Sequence, residues 1–213
     1  MLYMQTVHSE DEGGRRSFIE EARRRQIVAA AVTTIAEEGY ARASFVRIAA
    51  RASVSPGLIT YHFRTKERLI RQVLEYVHTR LDRAMEGGPE PLTGFEDGLR
   101  RIVAGHVMYC SQHPEEMAAR QEIIGAAAPP AVREWITENE ASGRAELAGF
   151  LTEGQRHGEF RAFDPEVFTD TLFAALGSAP GRLRRRPAEE HEAYAQELAR
   201  LFAAAATGRT PPW

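Results

Sequence analysis

The sequence predicts an all-α protein, and three observations carry that expectation. No apolar–polar alternation long enough for a strand occurs in its 213 residues. Apolar and small residues recur instead at three- and four-residue spacing, segment after segment. Serine, threonine or aspartate precedes several of these segments and proline opens others, both of them helix-start signals. Residues 1–16 mix polar, acidic and glycine residues without a period and read as a mobile tail. A first helix is expected to begin near Ser17 or Glu20, to run through Ile27, Ala30, Ala31, Thr34 and Ile35, and to close at Gly39. Ser44 caps a short second helix carrying Phe45, Ile48 and Ala49. Ser55 caps a third, with Pro56 in its first turn, where a missing N–H is harmless. Thr65 caps a fourth, whose buried stripe would be Leu69, Val73, Tyr76 and Val77. Three short helices, with so few residues between the second and third, make a helix-turn-helix arrangement.

Past Gly87-Gly88-Pro89 the helical segments lengthen and are broken by proline and glycine. Helices are expected at about 92–112, 115–125, 130–157, 165–178 and 188–206, with Asp164-Pro165 the cleanest start. The chain therefore divides into a helix-turn-helix unit over 17–64, a connecting helix over 65–87 and a second helical domain over 88–208. No internal repeat is visible.

Composition narrows the function classes. A lone cysteine, Cys110, cannot form an internal disulfide, and beside Val107, Met108 and Tyr109 it reads as a buried thiol. No apolar run approaches a membrane span and no signal-peptide pattern opens the chain, so a cytoplasmic protein with no membrane partner is expected. The net charge of −3 hides an asymmetry. Residues 15–83 hold 14 Arg and Lys against 7 Asp and Glu, a balance of +7, which leaves −10 for the remainder. That segregation points to a polyanion-binding module joined to something that does not bind polyanions. Only one lysine occurs, Lys66, and it stands at the head of the fourth helix just after Tyr61-His62-Phe63. A compact ammonium at a capped helix start suits a phosphate.

The stretch Ile27-Val28-Ala29-Ala30-Ala31, Glu38-Gly39-Tyr40, Ile48-Ala49, Val54-Ser55-Pro56-Gly57-Leu58-Ile59-Thr60-Tyr61-His62-Phe63 and Lys66-Glu67-Arg68-Leu69 resembles the TetR family of bacterial transcriptional regulators. The resemblance covers about residues 20–72. It implies a homodimer whose third helices enter successive major grooves of a roughly palindromic double-stranded DNA operator. It also implies a C-terminal helical domain that dimerises and holds a small-molecule effector, as yet unknown, whose binding releases a repressor from DNA. On this reading Ser55 caps the recognition helix and, with the free N–H groups of the first turn, faces a phosphate. Gly57 lets the backbone approach the duplex. Thr60 and Tyr61 project into the groove, and His62 donates to backbone oxygens. Lys66 grips a phosphate, while Ser44 and Arg47 add contacts from the second helix, where Arg51 is a weaker candidate. Phe63 anchors the helix in the core. Two departures from the family stand out. Ser53 occupies the turn position where glycine is usual, and Thr60 stands where tyrosine is frequent, although BetI-like members also carry a small hydroxylic residue there.

Aromatic and apolar residues of the mid-chain helices are the candidate effector site: Phe95, Leu99, Val103, His106, Tyr109, Ile123, Trp135, Phe150 and Phe173. They suit a mainly apolar ligand, with His106 and Tyr109 as the polar groups. The dimer face is expected on the last two helices, from Phe168, Leu172, Ala175 and Leu176 on one and Tyr194, Leu198, Leu201 and Phe202 on the other. Arg182, Arg184, Arg185 and Arg186 read as an exposed loop between them, with a second nucleic-acid contact as the lesser alternative. No nucleophile elbow, P-loop or dinucleotide fingerprint appears, and His106, His113, His157 and His191 lack metal-ligand spacing, so neither an enzyme nor a cofactor or metal site is expected. A helical protein–protein adaptor, or a DNA-binding architectural protein without ligand gating, would share the fold. The adaptor leaves the basic first third unexplained, and the architectural protein differs in having no effector cavity.

Overall fold

Nine α-helices and a single 3-10 turn make up the computed structural model, which describes residues 7–88, 90–126 and 128–209, with side chains from residue 18 onward. They are α1 (Val7–Glu38), α2 (Phe45–Ala52), α3 (Pro56–Phe63), α4 (Lys66–Glu86), α5 (Phe95–Gln112), α6 (Pro114–Gly125), α7 (Pro130–Arg156), α8 (Pro165–Leu183) and α9 (His191–Thr207), with the 3-10 turn at Ala188–Glu190. No strand occurs among the described residues, and none of their helices is long and apolar enough to cross a membrane.

The anticipated caps form. Ser44, Ser55, Thr65 and Asp164 each accept a hydrogen bond from a backbone N–H of the helix they start. Two ends differ from expectation. The segment read as a tail over residues 1–16 is helical from Val7; residues 1–6 lie outside the described part. All residues from Phe18 to Gln26 are exposed, so this half of α1 has no core-facing stripe for a period to reveal. α8 runs on to Leu183 rather than ending near residue 178, because Pro180 is accommodated inside its last turns. Proline there removes the N–H that would serve the Leu176 carbonyl, and His106 of α5 lies against that carbonyl instead.

Two apolar cores form. The first joins Ile27, Ala31 and Ile35 of α1, Ile48 of α2, Ile59 and Phe63 of α3, and Leu69, Ile70 and Val73 of α4. Ala119 and Ile123 of α6 and Val132 of α7 complete it from later in the chain. The second takes Val77 and Leu81 from the far half of α4 and adds α5, α7, α8 and α9. Each fully buried aliphatic or aromatic side chain contributes about 1.5–3 kcal/mol, so α4, which feeds both cores, is fixed at both ends. Its crossing with α5 is close at Gly105, where a Cβ would sit 2.1 Å from the Ala84 carbonyl oxygen. Ala195, Ala199, Ala203 and Ala206 give α9 a small buried face, which lets it pack tightly along α5.

Candidate nucleic-acid interface

The turn between α2 and α3 begins with a conformational exception. Ser53 adopts φ 52°, ψ 44°, and its N–H returns to the Ala49 and Ala50 carbonyls. The left-handed turn that the missing glycine put in question is thus kept, at the steric cost a Cβ incurs there. Gln26 of α1 closes the helix end by donating Nε2–H to the Ala52 carbonyl at 2.7 Å.

Ser55 then caps α3, its hydroxyl accepting from the Leu58 N–H at 3.2 Å. Ile59 and Phe63, four residues apart, bury one stripe of α3 in the first core. Helical geometry therefore leaves Gly57, Thr60 and Tyr61 on the outer side, and all three are exposed. Tyr61 keeps 70 % of its surface accessible, an unusual exposure for a large aromatic side chain. Thr60 bonds back to the Pro56 carbonyl at 3.2 Å, and the half-exposed His62 ring lies edge-on to Tyr61 at 5.1 Å. A Cβ on Gly57 would meet only the Ser55 hydroxyl, at 3.8 Å, so no packing within the chain demands glycine there.

Behind α3 stands a support that residue spacing does not display. Arg24 of α1 lies over the Phe63 ring at 5.1 Å and reaches the His62 carbonyl at 3.5 Å and Gln72 Oε1 at 3.3 Å. Arg64, at φ 60°, ψ −51°, centres a γ-turn in which the Thr65 N–H reaches the Phe63 carbonyl at 2.7 Å. Nothing in the residue type arginine signals such a turn.

Lys66 is less free than the sequence suggested. Its Nζ donates to the Tyr40 carbonyl at 2.8 Å and stands 4.4 Å from the centre of the Tyr40 ring. Partial burial lowers its pKa from the ordinary value, with Glu67 opposing that shift. An ammonium has three donors, so the bond to Tyr40 leaves capacity for a phosphate. On α2, Ser44 is occupied as a cap, accepting from the Arg47 N–H at 3.4 Å. Arg47 is exposed but ion-paired with Glu38, and Arg51 is ion-paired with Glu37.

The nine residues expected to line an effector site do not share one cavity wall. Ile123 is buried in the first core and Trp135 packs against that core, edge-on to His78 at 6.3 Å. Leu99 and Val103 are buried in the second core, and Phe95 packs on Phe150 at 5.3 Å between ring centres. Phe173 lies beneath the Arg144 guanidinium at 4.6 Å. His106 and Tyr109 face different partners. Tyr109 donates its hydroxyl to Glu116, which also accepts from Arg80 Nε at 3.2 Å; burial and that carboxylate raise its pKa. His106 Nε2 is shielded and without a partner among the described residues. Burial, with the Arg120 charge adding, lowers its pKa to about 4. Burial pushes the Cys110 thiol up to about 12. Two surface clefts among the described residues, of about 650 and 340 Å³, are lined by none of the nine.

The expected dimer residues also divide. Leu172 is fully buried and Leu176 nearly so, both packed inside this chain rather than offered to a second copy. Phe168 stacks on Phe163 at 4.8 Å and meets Phe202 at 5.7 Å. Ala175, Tyr194, Leu198 and Phe202 are half-buried. Leu201, 55 % exposed, faces outward on α9, and Val167 and Ala174 do so on α8. The helical stripe of leucines on α8 was visible in the sequence; which side of the helix the chain itself would cover was not.

Residues 27–73 match the family described as bacterial regulatory proteins, tetR family. Over 86 residues the chain is 36 % identical to the HTH-type transcriptional regulator BetI of Pectobacterium carotovorum, covering 39 % of this chain and 44 % of that protein. Over 59 residues it is 42 % identical to the HTH-type transcriptional repressor Rv3405c of Mycobacterium tuberculosis, covering 28 % and 31 %. The matched region thus spans less than half the length of these relatives. Solved structures match over more of the chain. A TetR-family transcriptional regulator from Rhodococcus sp. superposes with a TM-score of 0.74 at 25 % identity, covering 85 % of this chain and 99 % of that one. The regulator FadR of Bacillus subtilis, solved in complex with stearoyl-CoA, superposes with a TM-score of 0.72 at 22 % identity, covering 84 % and 97 %.

Proposed function

We propose that the chain, whose residues 27–73 match bacterial regulatory proteins of the tetR family, binds a palindromic operator as a homodimer, represses transcription there, and leaves when a small molecule binds. The observation that carries DNA reading is the outer face of α3. Thr60 and Tyr61 stand exposed on a helix locked from behind by Ile59, Phe63 and Arg24, their only contacts among the described residues being with their own helix. Such residues suit the base edges of a major groove, while Ser55, the first-turn N–H groups and Lys66 suit the flanking phosphates. A two-fold dimer would set its two recognition helices about 34 Å apart, one turn of duplex.

Release would use α4. Its first half belongs to the core under α3 and its second half to the C-terminal core, so a shift at one end is felt at the other. An effector need only prefer the spacing that DNA does not accept. That the Bacillus subtilis FadR fold holds stearoyl-CoA supports a small-molecule ligand for this architecture, without choosing its chemistry. The test is a footprint on the DNA upstream of the protein's own coding region, repeated with small molecules extracted from the natively purified protein. Two protected half-sites, erased by the extract, are expected. Absence of any sequence-selective protection would refute operator binding, and protection that no extract erases would refute release.

A further inference from the structure

The end of α8 and the turn to α9 carry four arginines, Arg182, Arg184, Arg185 and Arg186. Arg182, Arg185 and Arg186 line the cleft of about 650 Å³ together with Ser178, Gly181 and Glu190. Arg186 is committed to Glu190 at 3.3 Å and to the Tyr194 ring at 5.0 Å. Arg182 and Arg185 form no ion pair or side-chain hydrogen bond among the described residues, in a chain where most exposed arginines do. Glu189 and Glu192 follow at the start of the next helical turns, where their charge complements the helix dipole.

Position gives these free cations a meaning. Arg184 reaches Gln121 of α6 at 3.5 Å. The next residue, Glu122, places its carboxylate over Gly39 at the end of α1. Tyr40, one residue further, holds Lys66 at the head of α4, directly after the recognition helix. At the same level His191 ties the start of α9 to Ser111 at 2.7 Å, near the end of α5. The turn therefore lies at the end of the C-terminal bundle nearest the helix-turn-helix, not at the far end, where Arg161 meets Ala205.

We propose that Arg182 and Arg185, with Arg184 beside them, form an auxiliary phosphate-binding surface for the DNA between the two half-sites. The inference rests on the operator-bound homodimer proposed above. A dimer that pairs the outward faces of α8 and α9, where Val167, Ala174 and Leu201 are exposed, would stand two such turns side by side above the centre of the operator. Their contacts are electrostatic and sequence-independent, so they add affinity without reading bases.

The test is a fluorescence-polarisation titration of the full operator across salt, comparing wild type, R182A/R185A and R182K/R185K. The alanine pair should lower the magnitude of the log–log salt slope by about two units per protomer and weaken all operator variants by the same factor. The lysine pair should restore the slope, which a loss of fold or dimer would not allow. An unchanged slope for R182A/R185A, with operator binding intact, overturns the arginine contact and leaves the recognition-helix reading standing. So does loss of inorganic pyrophosphate binding in R182A/R185A without a change in slope, which would make the cleft a small-anion site. A wild-type protein that binds no operator at all refutes the operator reading itself.

Discussion

Lys66 and His106 show how far single residues can be read. The lone lysine was conspicuous, but its partner, the Tyr40 carbonyl, is 26 residues away, and no spacing rule reports such a contact. Lys66→Ala should therefore do two things: lower the thermal midpoint through loss of the bond to Tyr40, and reduce the salt slope of DNA binding by about one unit per protomer. A lowered midpoint with an unchanged slope would make Lys66 a structural residue alone. His106 carries a pH dependence. Its folded pKa of about 4 lies below the ordinary 6.5, so the neutral ring stabilises the fold above pH 6.5. That contribution falls as pH drops from about 6.5 to about 4, up to roughly 3 kcal/mol in all. His106→Leu should flatten the denaturant-midpoint profile over that window; a profile as steep as that of the wild type would assign the loss to other groups. Caps, by contrast, were legible at this scale, because Ser44, Ser55, Thr65 and Asp164 act on N–H groups within three residues of themselves.

At the scale of elements, helix starts were read more reliably than helix faces. A start needs a cap or a proline; a face needs to know what lies opposite. The leucines of α8 turn inward onto α5, as the alanine face of α9 does, leaving smaller residues outside. α8 was expected to end near residue 178, yet it passes through Pro180 with His106 set against the carbonyl that proline frees. In the helix-turn-helix, Ser53 holds a left-handed conformation that glycine adopts without steric cost. Ser53→Gly should raise stability by about 0.5 kcal/mol, the relief of Cβ strain being partly offset by unfolded-chain entropy. The urea midpoint checks this, and a fall in the midpoint would mean that the serine side chain stabilises the turn in another way. Leu172→Asp and Leu201→Asp separate core from outer face. The first buries a charge in the chain's own core and should unfold it, costing several kcal/mol. The second should leave a folded chain that sediments as a monomer, if α9 is part of the dimer contact. A Leu201→Asp chain that remains a dimer would move the interface elsewhere.

Across the whole molecule, two cores share one helix. The first core gathers α1 to α4 and then borrows Ala119, Ile123 and Val132 from α6 and α7, so the helix-turn-helix unit is not closed by its own residues. That borrowing was invisible in a sequence whose motifs end near residue 72, and it draws Ile123 and Trp135 to the first core while Leu99 and Val103 lie in the second. The exposed outer side of α3 was legible because its residues are contiguous; an effector wall was not, because any such wall is assembled from helices far apart in sequence. The most direct test is the ratio of affinities for the footprinted operator and for a scrambled duplex of equal length, measured by polarisation at fixed salt for wild type, Thr60→Ala and Tyr61→Ala. Reading by α3 requires a large ratio for the wild type and its collapse in at least one variant, by about 1–3 kcal/mol for each lost base contact, with scrambled-duplex affinity unchanged. Equal losses on both duplexes, or no loss on either, would contradict it.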